Sequence, residues 1–171
     1  MKKHLILWFS SLGAAYHAAD AATKEGAIIL ELFPFASMAH LFLEAPAELN
    51  ISALLAEQQL KVEKIEIFSY LPEKVLRSYL SLTNPALSED LLIYEHAFLG
   101  ETLRVAAQAS HMGLELLDIR FMRDTAGHSY FMATGLAELC TAFIHHAIPS
   151  SGKIRQIKNP SDALREFFPQ S

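Results

Sequence analysis

Short apolar runs of strand length alternate along the chain with stretches whose apolar residues recur at helical spacing. Residues 5–9 and 91–98 are such runs, and each leads into an Ala-rich stretch, 13–25 and 100–112, that reads as a helix. Gly26 and Gly113 stand where those helices should stop, because glycine enters the left-handed conformation without a Cβ clash. Two strands joined by a turn follow in each half, 27–33 with 41–45 and 114–121 with 129–133. Second helices are expected over 52–59 and 137–146, and fourth strands over 62–68 and 153–158. Each half closes on a short helix, the first begun at Pro72 and the second capped by Ser161.

The two halves repeat each other in letters as well as in pattern. Leu12-Gly13 recurs as Leu99-Gly100, Ala19 as Ala106, Ala22 as Ala109, Gly26 as Gly113 and Leu30 as Leu117, all 87 positions apart. A spacing of 88 then matches His40 to His128, Ala45 to Ala133, Pro72 to Pro160 and Leu76-Arg77 to Leu164-Arg165. The expected fold class is therefore α+β. Two tandem ferredoxin-like β-α-β-β-α-β units each carry a four-stranded antiparallel sheet with two helices on one face, plus a short terminal helix. Thr83-Asn84-Pro85 reads as the linker, which divides the chain into repeats 1–85 and 86–171.

Composition narrows the function classes. The 171 residues are 51% hydrophobic and 19% charged, which excludes a disordered chain and points to apolar surface reserved for interfaces. With 14 Lys and Arg against 19 Asp and Glu, no basic field exists for nucleic acid or an anionic membrane. The single cysteine, Cys140, excludes a disulfide scaffold and suits a reducing compartment. Lys2-Lys3 followed by an apolar run has the look of a signal peptide, but Ser10-Ser11 breaks the run, and a strand entering a helix explains the same letters. No uncharged stretch reaches the length of a membrane span, so a cytoplasmic protein is expected.

The segment 12–24, with Ala14-Ala15, Ala18-Ala19-Asp20 and a closing Lys24, resembles the first helix of bacterial microcompartment shell proteins. The resemblance extends over the following strand–turn–strand and the terminal Pro-x-x-x-Leu helix, and two such domains in one chain resemble the tandem class of that family. It implies a homotrimer imitating a hexagonal tile, with other shell proteins as further partners. It also implies an axial pore lined by the turns between second and third strands, here Ser37, Met38 and Ala39 in one repeat and Thr125, Ala126 and Gly127 in the other. Arg123, Asp124, His40 and His128 would lie at its rim, and Lys24 and His111 at the edge between tiles. These turns depart from the family's glycine-rich one, with Pro34-Phe35 preceding the first.

Other chemistry finds little footing. The 8 histidines lack metal-ligand spacing, and His145-His146, adjacent on a helix, point about 100 degrees apart. If His40 and His128 are equivalent, six imidazoles would ring the axis of a trimer. Cys140 in an apolar helix reads as a small buried hydrophobe. Glu31 and Asp118 read as a solvated strand face, and no nucleophile elbow or phosphate loop is present. A structural, non-enzymatic protein without cofactor or metal is the leading expectation. The alternative is a small-molecule-binding regulatory protein built from tandem ferredoxin-like domains.

Overall fold

A computed structural model describes residues 1–35, 37–83, 85–122, 128–146 and 152–168. The first unit runs β1 (Lys2–Phe9), α1 (Leu12–Lys24), β2 (Ile28–Phe35), β3 (Met38–Pro46), α2 (Ile51–Glu57) and β4 (Lys64–Phe68). After α3 (Glu73–Tyr79), the second repeats that order as β5 (Asp90–His96), α4 (Leu99–His111), β6 (Glu115–Phe121), β7 (Ser129–Gly135), α5 (Ala137–His146) and β8 (Lys153–Ile157), followed by α6 (Asp162–Arg165). Both sheets are antiparallel and share one strand order, β2-β3-β1-β4 and β6-β7-β5-β8. This is the tandem ferredoxin-like α+β fold read from the pattern.

Period-2 alternation decides which side chains meet the helices. In the first unit Leu5, Leu7 and Phe9 of β1 join Ala39, Leu41, Leu43 and Ala45 of β3 beneath Ala15, Ala18, Ala19 and Ala22 of α1 and Ile51 and Leu55 of α2. Alanines along α1 let its backbone lie close to the sheet. Ser11 caps α1 by accepting the Ala14 N–H, and Asn50 caps α2 by accepting the Ala53 N–H at 3.1 Å. At the other end Gly26, with φ of 85°, and Gly113, with φ of 93°, close α1 and α4. Ala27 N–H reaches Ala22 O and Gly26 N–H reaches Thr23 O, both at 3.0 Å, and Leu114 N–H reaches Ala109 O at 3.0 Å with Gly113 N–H to Ser110 O at 3.2 Å, so each helix ends in the two bonds of a Schellman motif.

Strand pairing shows the duplication more sharply than the letters do. Each second strand carries a bulge at the same place, between Ile29 and Glu31 and between Leu116 and Asp118. Across that pair Ile28 meets Glu44 while Glu115 meets Thr134, so equivalent residues are 87 apart in β2 and β6 but 90 apart in β3 and β7. The connection between second and third strands is thus three residues longer in the second repeat, not one. His40 corresponds to Tyr130 rather than His128, and Ala45 to Gly135 rather than Ala133. Likewise Pro72, the N-cap of α3, stands opposite Ser161, the N-cap of α6, rather than Pro160.

The compact units divide after Leu71, into Met1–Leu71 and Pro72–Ser171. Helix α3, which closes the first repeat in sequence, packs on β6 and α4 and so sits within the second compact unit. Repeat boundary and packing boundary are different things in this chain. Arg165 of α6 holds the approach to β5 by donating to the carbonyls of Pro160 at 3.0 Å, Leu87 at 3.2 Å and Glu89 at 3.2 Å, and also to that of Ser88. Buried Asp90 receives Gln156 Nε2 at 2.7 Å and Asn159 N–H at 3.0 Å, which ties the C-terminal end of β8 to the start of β5.

Tyr94 is buried in the second unit at 1% exposure, and its Oη has no hydrogen-bond partner among the described residues. A Cβ on Gly152 would fall on the Tyr94 ring, whereas one on Gly13 would meet only Ser11 Oγ at 3.6 Å. Gly152→Ala is expected to lower stability by about 2 kcal/mol, Gly13→Ala to be neutral or slightly stabilising, and Tyr94→Phe to cost less than about 1 kcal/mol. Urea unfolding of the three variants checks this order.

Candidate functional site

The turn expected at an axis in the first repeat is tight. Phe35 pairs with Met38 at the end of the β2–β3 ladder, with Ser37 exposed and Met38 half-buried. The next two residues turn inward. Ala39 is fully buried in the helix-side core, and His40 is fully buried on the opposite face, 4.6 Å from the Trp8 ring and 4.8 Å from the Phe33 ring. Neither offers a group to solvent in this chain, which removes Ala39 from the lining and His40 from the rim. The reason is alternation: once the ladder starts, successive side chains enter the two buried faces of the sheet.

In the second repeat Met122 N–H donates to His128 O at 2.7 Å, which closes the base of the longer turn. Arg123, Asp124, Thr125, Ala126 and Gly127 lie outside the described residues. His128 is exposed, and its equivalent in the first repeat is Met38. A sixfold ring of imidazoles is therefore not what these strands provide. His128 instead opens, with Glu95, His96, Ala97 and Lys153, onto a cavity of about 320 Å³. Glu95 and Lys153 are cross-strand partners on β5 and β8, and strand alternation alone does not bring them to His128. His96 Nδ1 accepts the Phe98 N–H at 2.9 Å, so in its neutral form the ring proton is on Nε2. Beneath it Ser129 Oγ donates to His96 O at 2.9 Å and receives Thr102 Oγ1 at 2.6 Å.

The sheet faces turned away from the helices differ between the units. In the first, His4, Ile6, Trp8, Phe33, His40, Phe42, Glu66 and Phe68 are all buried. The second unit presents exposed Glu95, Arg120, Lys153 and Arg155 there, with Arg120 Nε 2.9 Å from an Asp118 oxygen. Asp118 also accepts from Tyr130 Oη at 3.2 Å, and burial together with that carboxylate pushes the Tyr130 phenol above its usual range. Asp118 thus sits in a local ion pair and hydrogen bond, as expected for a solvated strand face.

Lys24 and His111 occupy the same place, the exposed last residues of α1 and α4. Lys24 Nζ lies 2.7 Å from Asp20 Oδ2 one turn back, an exposed pair of little energetic weight. Cys140 is fully buried, and burial with help from Asp90 and Glu89 pushes its thiol up to about 11, leaving it protonated and unreactive at neutral pH. Among the described residues no group of three or more His, Cys, Asp or Glu side chains is placed to hold a metal ion. No helix among them is long and apolar enough to cross a membrane.

With this geometry in hand, known proteins supply a frame. Neither a protein-family model nor a curated protein matches the sequence. The fold, however, is shared almost end to end with a microcompartment protein from Desulfitobacterium hafniense DCB, at TM-score 0.83 and 20% identity over 97% of this chain and 99% of that one. A double-ringed trimeric shell protein from the RMM microcompartment aligns at TM-score 0.57 and 18% identity over 85% of this chain and 80% of that one. The chain has the tandem two-unit fold of these microcompartment proteins, as the resemblance of its first helix implied.

One buried titratable group makes the first unit sensitive to pH. His4 is 6% exposed with Nε2 3.6 Å from Glu44 Oε2, and Glu44 is itself ion-paired to Lys2. Burial lowers the His4 pKa below 6.5 and outweighs the opposing pull of Glu44. The unfolded chain therefore binds a proton at His4 more readily than the folded one. This contribution to stability is present above about pH 6.5 and is lost as pH falls through that value toward the folded one. Leu91 stands at the equivalent place in β5. His4→Leu should consequently retain the fold and flatten part of the decline in melting temperature between about pH 7 and pH 5, which thermal denaturation across that range measures.

Proposed function

We propose that this chain is a structural, non-enzymatic shell-type subunit that acts as a homotrimer. Three copies, each contributing the repeats 1–85 and 86–171, would form a pseudohexameric ring around an axial opening for small molecules. The observation that carries this reading is the fold match over 97% of this chain and 99% of a microcompartment protein, which a chance likeness between single ferredoxin-like units would not produce. The 51% hydrophobic composition supports buried edges between subunits.

In this reading the opening is threefold rather than sixfold. Ser37 and Met38 would alternate with Thr125, Ala126 and Gly127 around the axis, with Arg123, Asp124 and His128 at the rim. Because the second turn is three residues longer than the first, it would dominate the constriction and supply its charge. Lys24 and His111 would lie at the tile edge, where other shell proteins or further copies of the ring abut. A place in the cytoplasm follows from that role.

Multi-angle light scattering at micromolar concentration is expected to give three chains per particle; a stable monomer or dimer overturns the assembly. Lys24→Ala should weaken sheets seen by electron microscopy while leaving the trimer intact. Its melting temperature should hardly change, since the exposed Lys24–Asp20 pair is worth only about 0.5 kcal/mol. Sheets that persist unaltered would exclude the edge role.

A further inference from the structure

A second cavity lies away from the turns, within the second compact unit. Its volume is about 400 Å³, and Lys74 and Arg77 of α3, Leu82, Thr83 and Pro85 of the following segment, and Glu115 and Leu116 at the start of β6 line it. β6 is an edge strand, so no further strand of its sheet covers that side. The wall formed by the segment after α3 is held in place. Leu82 N–H reaches back to Arg77 O at 2.7 Å and Ser81 N–H to Ser78 O at 3.1 Å, a Schellman motif completed by Ser81 at φ of 58°. Arg77 Nη2 adds a bond to Leu82 O at 3.4 Å, while its Nη1 lies 3.6 Å from Glu73.

The chemistry of the lining is two-signed. Lys74 has no ion-pair partner among the described residues, and neither has Glu115, although both face the same cavity. Thr83 Oγ1 is buried there and has no hydrogen-bond partner among the described residues, a cost the fold bears without return unless something accepts or donates at that point. Leu82, 60% exposed, and Leu116 and Pro85 supply an apolar strip between the charges. A simple inorganic anion would satisfy Lys74 and Arg77 but leave Glu115 beside it, and the cavity has the size of a small-molecule site rather than of a single ion.

We infer that this cleft binds a small aliphatic zwitterion of the free amino-acid class. The carboxylate lies against Lys74 and Arg77, the ammonium against Glu115, and the alkyl chain on Leu82, Pro85 and Leu116, with the Thr83 hydroxyl bonding to one of the charged ends. Nothing in this inference depends on the trimer or on the axial opening.

Equilibrium dialysis of the full chain with radiolabelled L-leucine tests it, with competition by isopentylamine, which lacks the carboxylate, and 4-methylpentanoate, which lacks the amine. The expected result is saturable binding of one leucine per chain, with each competitor at least about tenfold weaker than unlabelled leucine. Lys74→Ala and Glu115→Gln, both at exposed positions that the fold does not need, should each weaken binding by about tenfold. Absence of saturable binding, competitors equal to leucine, or variants that bind as the parent does would each overturn the inference. Light scattering on the same samples reports the oligomeric state separately, so a failed cleft and a failed trimer are told apart.

Discussion

The pairing of each unit's first strand with its third is the constraint on which the rest of the molecule depends. β1 meets β3 along its whole length, from Lys2 opposite Pro46 to Phe9 opposite Ala39, and every residue from His4 to Phe9 is buried. With both faces of a strand enclosed, its register has no slack. A slip by one residue would carry Leu5, Leu7 and Phe9 out of the helix-side core and drive His4 and Trp8 into it. The same pairing recurs between β5 and β7, where Leu92, Tyr94 and His96 lie opposite Ala133, Phe131 and Ser129. Helices, caps and bulges are arranged around these two ladders.

Fixing the ladders leaves their ends free to diverge. The connection from second to third strand differs by three residues between repeats, yet the strands it joins are superimposable in pairing and carry matched bulges. The ladder pairs on either side keep the same register in both repeats, and lengthening a connection between fixed ends adds only a slowly growing loop-closure cost. That is why a duplicated unit can keep its scaffold while presenting two chemically unlike turns, the first short and flanked by Phe35 and Met38, the second longer and flanked by exposed His128. In a shell-type ring this division of labour would place variation at the opening and constancy in the tile.

The faces away from the helices show divergence of another kind. His4, His40 and Glu66 are buried among Trp8, Phe33, Phe42 and Phe68 in the first unit, whereas charged residues on the corresponding face of the second remain in solvent. Burial of His4 makes the stability of the first unit fall as the pH is lowered, since a histidine kept neutral by burial must be solvated before it can be charged. The exposed charges of the second unit, paired locally as Arg120 with Asp118, carry little such cost.

Much of this was legible in the residues themselves. Apolar periodicity of two and of 3.6 is a property of adjacent letters, and so are the stops at Gly26 and Gly113 and the cap at Ser161, whose backbone freedom or side chain acts within one turn of helix. The repeat, the order of elements and the buried character of Cys140 followed from such local signals. What tertiary structure decided was everything set by partners distant in sequence. Only the ladder shows that His40 corresponds to Tyr130, since hydrogen bonds to β2, not similarity of letters, define equivalence across an inserted turn. Only packing puts Ala39 and His40 out of reach of solvent, assigns α3 to the second compact unit, and gathers Lys74 and Glu115, far apart in the chain, around one cavity. A sequence records which faces are apolar, but the choice of the surface that covers each face is made by long-range contacts that no local pattern encodes.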